Sequence, residues 1–256
     1  LNMDNTCGFV HLHTHTEYSL LDGAIRTGEL IAAAKEWGMG AAAITDHGSM
    51  FGAVEFYLKA KEEGIVPVIG SEIYVAIEGR RVKRAAGGNN DGADHLVLLA
   101  MDDQGYRNLM KIVSIGYLEG FYYKPRVDKE VLREYSGGLI AMSACIGGEI
   151  PRLILQGKPE EAERAALEYA DIFGKENFFL EIHEHGLPEE REVRGPLVEL
   201  GRRHGIGLVA TNDAHYLKKE HADSHEVLLC ISTGKTLDDA NRMRMDSSEF
   251  YLKTPD

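Results

Sequence analysis

Short apolar runs alternate with longer stretches of helical periodicity along most of the chain. Ala41–Thr45, Val66–Ala76, His95–Met101, Leu139–Ser143, Phe178–Ile182 and Leu208–Thr211 are short, largely apolar and bounded by turn residues, which predicts strands. An earlier apolar strand ends at Val10-His11-Leu12-His13-Thr14-His15-Thr16. Between the strands, helices are predicted from Thr27, as cap, to about Trp37 with Gly38 as stop, over Phe51–Glu63 before Gly64, and over Gln104–Leu118. Others are expected near Glu149–Leu155 and over Pro159–Phe173, Pro188–His204 and Lys218–Cys230. Strands alternating with helices imply seven parallel strands with right-handed crossovers and the helices outside. Glu78–Asp94, rich in Gly, Asn and Arg, breaks the rhythm and reads as a mobile excursion or a hairpin. Thr236–Asp256 has turn and strand signals without a closing helix, which suits a piece of something longer.

The polar residues that interrupt this pattern are metal-ligand types, and they sit where the apolar runs end. In a strand, alternate side chains share a face, so His13 and His15 point the same way and can share one ion. Asp46-His47 follows Ala41–Thr45, Glu72 follows Val66–Gly70 and Cys145 follows Leu139–Ser143. Asp213 and His215 follow Leu208–Thr211, and His95 opens its own run. Ligands gathered at strand ends suit a barrel, whose site lies at the C-terminal face, better than an open sheet. The expected fold is α/β, a distorted (β/α)7 barrel with a metal site at the C-terminal face of its strands. Imidazole, carboxylate and a single thiolate suit zinc first, with manganese or iron as alternatives. Two or three divalent ions can bind phosphate oxygens, turn a water into hydroxide near neutral pH and stabilise the leaving oxygen, which is phosphoester hydrolysis.

Composition narrows the partners. With 256 residues and 44% hydrophobic content the chain can bury one sizeable core, so a single domain over 1–256 is expected. Its apolar runs are too short for a bilayer span and its start lacks signal-peptide order, which predicts a cytoplasmic protein with no membrane partner. Cys7, Cys145 and Cys230 form no paired pattern, so no disulfide framework is expected. A net charge of -13 argues against a broad electrostatic grip on nucleic acid, and any attraction for phosphodiesters must come locally from metals.

His13-x-His15, Thr45-Asp46-His47-Gly48, Glu72, His95, Cys145 and Asp213-x-His215 resemble the polymerase and histidinol phosphatase (PHP) superfamily. The runs HLHTHTEYSLLDGA, ITDHGSMFGAVEFYLKAKEEGI, GSEIYVA, GFYYKPRVD, SACIGGEIP, ATNDAHY and EFYLKTP resemble its branch at the N-terminus of bacterial replicative DNA polymerase III alpha subunits. The resemblance implies three divalent ions. His13, His15, Glu72 and Asp213 would hold the first; Glu72, His95 and Cys145 the second; Asp22, His47 and His215 the third. It implies a metal-dependent 3′–5′ exonuclease, proofreading in character, acting on a DNA 3′ end beside the remaining polymerase domains and replisome subunits. A metal-bound hydroxide would be the nucleophile, with His13, His15, Asp213 and His215 closest to the chemistry. Two other functions use the same ligands: a phosphatase for small monoesters, as in the histidinol phosphatase branch, and a metal-stabilised structural domain without catalysis.

Other residues have weaker claims. Lys124 and Arg126, within Tyr122-Tyr123-Lys124-Pro125-Arg126, combine cations with aromatics and are candidates for holding DNA. His185 ends the Phe178–Ile182 run and is a candidate substrate contact, as is His183. His11 shares the face of His13 and reads as core or as support for the ligands. Asp46 is expected to orient a ligand or cap a turn. His221 and His225 read as exposed or capping residues, His204 as a contact with a helix dipole, and Cys7 and Cys230 as ordinary residues.

Overall fold

The computed structural model describes residues 8–83 and 92–255. Cys7 lies outside them, as does the middle of Glu78–Asp94.

Seven strands form the sheet: β1 (Ala41–Ile44), β2 (Val66–Ala76), β3 (Ala93–Ala100), β4 (Arg126–Val127), β5 (Leu139–Met142), β6 (Phe178–Ile182) and β7 (Gly207–Ala210). The order is β1-β2-β3-β5-β6-β7, with β4 pairing with β2 beyond β1. The sheet is mixed rather than all parallel. β3 runs antiparallel to both β2 and β5, while β1, β4, β5, β6 and β7 pair in parallel with their other neighbours. Apolar patterning records which face of a strand is buried but not its direction, so the expectation of seven parallel strands failed at β3. The pairing of Gly70–Ala76 with Leu99–Ala93 shows that Glu78–Asp94 joins a hairpin.

The first predicted strand is an extended segment that closes the curled sheet through single bridges. Ala43 N–H donates to the His11 carbonyl, Thr45 N–H to that of Thr14, and His15 N–H to that of Ala214 beyond β7. The segment therefore stands between β1 and the end of β7, and the sheet becomes a distorted barrel.

Helices α1 (Thr27–Glu36), α2 (Ala53–Glu63), α3 (Asp103–Leu118), α4 (Lys129–Tyr135), α5 (Glu149–Leu155), α6 (Pro159–Phe173), α7 (Pro188–His204) and α8 (Ala222–Thr233) cover the sheet. Most match the sequence expectation within a residue or two. Thr27 is the first helical residue rather than the cap, and its hydroxyl donates to Glu55. β4 and α4 were not foreseen, because two strand residues and seven helical ones carry too little periodicity.

Side-chain alternation sorts the sheet into two faces. Ile73, Leu96, Leu98, Ala141, Phe178 and Leu180 point outward and pack under Leu109 and Ile112 of α3, Tyr169 of α6 and Leu197 of α7. Ala43, Val97, Leu99 and Met142 point inward, joined by Leu12, Val68, Phe179 and Val209. These make an apolar floor across the barrel. One step further along the same inward rows come Thr45, Glu72, His95, Glu181 and Thr211, so the polar site rests on that floor.

Candidate metal centre

The site begins with a backbone locked on both edges. Thr14 N–H donates to Thr45 Oγ1 at 2.8 Å while His15 N–H pairs with Ala214, so His13 and His15 are turned inward together. Their Nε2 atoms lie 3.2 Å apart and both rings are fully buried. His95 reaches the same end of the barrel from the start of its strand because β3 runs antiparallel. Asp213 (φ 42°) and Ala144 (φ 60°) adopt left-handed backbone at this rim, a conformation uncommon outside glycine that places Asp213 and turns the chain before Cys145.

Asp46 ties down the loop that carries Asp22. Its carboxylate accepts from Thr16 N–H at 2.6 Å, from the Thr16 hydroxyl at 2.9 Å and from the Ser19 hydroxyl at 3.0 Å. A Cβ at Gly23 would stand 1.9 Å from the Thr16 carbonyl oxygen, so the loop can close this tightly only with glycine there. The ring of His225 then donates to the Asp22 carbonyl at 2.6 Å. His225 is thus buried and positions Asp22, contrary to its expected exposure, whereas His221 sits at the N-terminal cap of α8 as expected.

The side chains converge within hydrogen-bond range. Glu72 is the hub: Oε2 lies 2.7 Å from His13 Nε2, and Oε1 lies 3.0 Å from His47 Nδ1 and 2.5 Å from His95 Nδ1. Asp213 Oδ1 is 3.0 Å from His15 Nε2, and Asp22 Oδ2 is 3.2 Å from His47 Nε2. The ring of His15 stacks on that of His47 at 4.0 Å and stands 4.4 Å from that of His215. Among the described residues five ligand groupings result: His13, His15, Glu72 and Asp213; His47, Glu72 and His95; His15, His47 and His215; and, on the side of β6, His13, Glu181 and His183, and His183, His185 and Glu190. Cys145 stands outside these tight groupings; burial first, then the charges of Asp213 and Glu72, push its pKa well up.

Charge is distributed unevenly over the imidazoles. Burial pulls His13 and His47 down, but neighbouring carboxylates outweigh it and hold both well above the usual histidine value. His15, buried and flanked by His47 and His215, is pushed down to about 3 and is neutral, the form that ligates a metal. Burial is likewise outweighed at Glu72 and Asp213, which the surrounding histidines hold well below the carboxylate range.

A test of metal fit comes from the unpaired atoms. Asp22 Oδ1, His47 Nδ1, Glu72 Oε1, His95 Nδ1 and Asp213 Oδ1 are buried without a properly oriented hydrogen bond, although Glu72 Oε1 lies close to His47 Nδ1 and His95 Nδ1, and Asp213 Oδ1 to His15 Nε2. Buried polar atoms are nearly always paired, and such a convergence of lone pairs fits cations. The donor types and the geometry therefore suit divalent ions.

A family model described as the PHP domain matches residues 11–185, which include seven of the nine converging residues. The chain belongs to the PHP-domain family. It is 51% identical over 256 residues to the DNA polymerase III subunit alpha of Thermus aquaticus, covering 99% of this chain and 21% of that protein. The same-named subunit of Treponema pallidum is 48% identical, over 96% of this chain and 21% of the relative. The chain thus spans about a fifth of the length of these relatives. A Bifidobacterium adolescentis protein assigned as a metal-dependent phosphoesterase shares the fold at TM-score 0.50 and 17% identity, covering 80% of this chain and 87% of that one.

Two of the expected substrate contacts in this PHP chain face elsewhere. Arg126 is 2% exposed and spends its guanidinium on the carbonyls of Val82, at 2.8 Å, and Gly120, at 3.3 Å; it pins the loop after α3 to β4. His185 is buried against Phe250, with Nδ1 toward Glu190 and Nε2 toward the Asn212 carbonyl, leaving neither nitrogen for substrate. Lys124 lines a cleft shared with His47. His183 is buried beside the cluster, 3.2 Å from Glu181. His11 supports the segment below it by donating to the Lys253 carbonyl at 2.8 Å, and His204 pairs with Glu163 at the end of α7.

The sequence reading missed Glu181. It accepts from His13 Nδ1 at 2.8 Å and from the Thr211 hydroxyl at 2.5 Å, and it is buried at the inward row's end. A carboxylate inside the otherwise apolar Phe178–Ile182 was the available signal, since a charge is rarely buried without a partner.

Proposed function

We propose that the chain is the PHP domain of a bacterial DNA polymerase III alpha subunit and carries a trinuclear, metal-dependent phosphodiesterase site that shortens DNA 3′ ends. The observation that carries the reading is the set of adjoining ligand groupings, His13, His15, Glu72 and Asp213 beside His47, Glu72 and His95 and beside His15, His47 and His215, in which buried atoms of His47, Glu72, His95 and Asp213 lack a hydrogen-bond partner. His13, His15, Glu72 and Asp213 would hold one ion; His95 and Cys145, sharing Glu72, a second; Asp22, His47 and His215 a third. Zinc suits this donor set best. Bound divalent ions supply Lewis-acid stabilisation of phosphate and an acidified water. The protein's own part is to fix the ligands before substrate arrives. Glu181 holds the ring of His13 through Nδ1, Asp46 and His225 hold the Asp22 loop, and the apolar floor keeps bulk water from entering below. With the cluster's carboxylates neutralised by ions, the site becomes the local attraction for phosphate that a chain of net charge -13 otherwise lacks. The full-length setting would supply the other polymerase domains, in the cytoplasm.

The test is a labelled DNA strand with a single-stranded or mismatched 3′ end, incubated with zinc- or manganese-loaded chain, with chelated chain and with Asp213→Asn. Progressive shortening by the loaded chain alone is expected. A phosphomonoester run beside it separates the two chemistries: hydrolysis of the monoester without shortening of DNA would replace this reading with a phosphatase. Loss of thermal stability on chelation with no hydrolysis of either substrate would replace it with a structural metal domain.

A further inference from the structure

We propose that the aromatic cleft beside His47 is a nucleobase-binding subsite, in which an unpaired base of the substrate strand stacks while its phosphodiester lies toward the metal centre. The inference rests on the phosphodiesterase reading for the identity of the strand. The cleft lies between the Glu17–Gly23 loop, the start of α2, the end of α3 and the loop before β4. It holds about 180 Å³. That is below the roughly 300–1,000 Å³ of sites for whole drug-sized ligands and suits one planar ring system.

Three features give it chemistry. Phe51, Tyr117 and Phe121 form a row of rings with centroids 6.2 and 6.1 Å apart, the latter pair inclined by only 22°. Phe51 is 59% and Phe121 47% exposed, a large cost in exposed aromatic surface that base stacking would recover. The Ser49 hydroxyl, 2% exposed and without a hydrogen-bond partner, lines the same cleft and supplies a buried polar group to a base edge. The Lys124 ammonium sits 4.6 Å over the Tyr74 ring on the cleft wall, a cation suited to a strand phosphate.

The cleft is continuous with the metal centre through one residue. His47 lines the cleft, its ring stacks on Tyr74 at 6.0 Å, and its Nδ1 is 3.0 Å from Glu72. A strand with a base in the cleft therefore has its backbone within one nucleotide of the ligands. Stacking is also the mode of recognition that an acidic chain can use, because it does not depend on a basic surface.

The experiment is stopped-flow fluorescence of a short single strand with 2-aminopurine at its 3′ end, mixed with zinc-loaded chain. Fast quenching is expected for the wild type, with affinity about tenfold weaker in Phe121→Ala and in Tyr117→Ala. Phe121→Trp should restore it, and the number of metal ions per chain should be the same in all variants. A strand with an abasic 3′ end should bind wild type as weakly as a normal strand binds Phe121→Ala. Equal binding by wild type and both alanine variants, or equal binding of abasic and normal strands, overturns the subsite even if DNA is hydrolysed. Quenching that follows the expected pattern without any hydrolysis upholds the subsite and sinks the phosphodiesterase reading instead.

Discussion

Nδ1 of His13 donates to Glu181 at 2.8 Å while Nε2 of the same ring lies 2.7 Å from Glu72, so one imidazole joins the wall of the barrel to the hub of the ligand cluster. The Glu181 carboxylate holds the ring through Nδ1, so that Nε2 is the nitrogen turned to the cluster and the one that would ligate an ion. Partners of this kind typically contribute 10–100-fold in metal affinity. Glu181→Gln, which keeps the shape and removes the charge, should weaken the tightest-held ion by about tenfold. Competition against a chromophoric chelator reads this directly, and an unchanged affinity would remove Glu181 from the site.

Arg126 makes a contrasting prediction. Arg126→Leu leaves the Gly120 and Val82 carbonyls without their donor and should cost about 1–3 kcal/mol in urea unfolding. Hydrolysis per folded molecule should stay the same. A selective loss of DNA binding at unchanged stability would return Arg126 to the substrate side.

Acid stability should report on Glu190, which accepts from the His185 backbone N–H at 2.7 Å and faces the His185 ring. Burial raises its pKa, but these contacts outweigh that and hold it below the ordinary value of 4.5. A depressed carboxylate adds stability that is present above its unfolded pKa and is lost as pH falls through the folded value. The stability gap between wild type and Glu190→Gln should therefore be full at pH 6–7 and shrink below about 4.5. Urea midpoints at a series of pH values measure it; a gap that widens on acidification contradicts the sign.

His225 ties α8 to the Asp22 loop through one hydrogen bond to a backbone carbonyl. His225→Ala should release that loop and weaken one of the bound ions while leaving the others in place, since His13, His15 and Asp213 are anchored elsewhere. Stepwise chelator titration should show one class of site shifted; a uniform shift of all classes would mean that the loop is not the element affected.

Much of this was legible in the sequence because ligand residues and strand ends are both marked locally. His13, His15, His47, Glu72, Asp213 and His215 each interrupt or follow an apolar run, and the fold needs only alternation to bring them together. What could not be read depends on contacts distant in sequence. The direction of β3 is set by pairing with β2 and β5, and it explains why His95 opens its strand whereas Cys145 follows its own. Arg126 and His185 looked like substrate contacts because their neighbours are aromatic or lie at a strand end; their partners, Val82 and Asn212, are 44 and 27 residues away. Glu181 was hidden because one carboxylate in a five-residue strand reads as an exposed position until His13 is placed opposite it.

On the proposed reading one cluster holds three divalent ions. Elemental analysis of chain purified without chelator and dialysed against metal-free buffer counts them per molecule, with His13→Ala and His215→Ala in parallel. Close to three ions are expected for the wild type and fewer for each variant. One ion or none in the wild type, or a count indifferent to both substitutions, would contradict it.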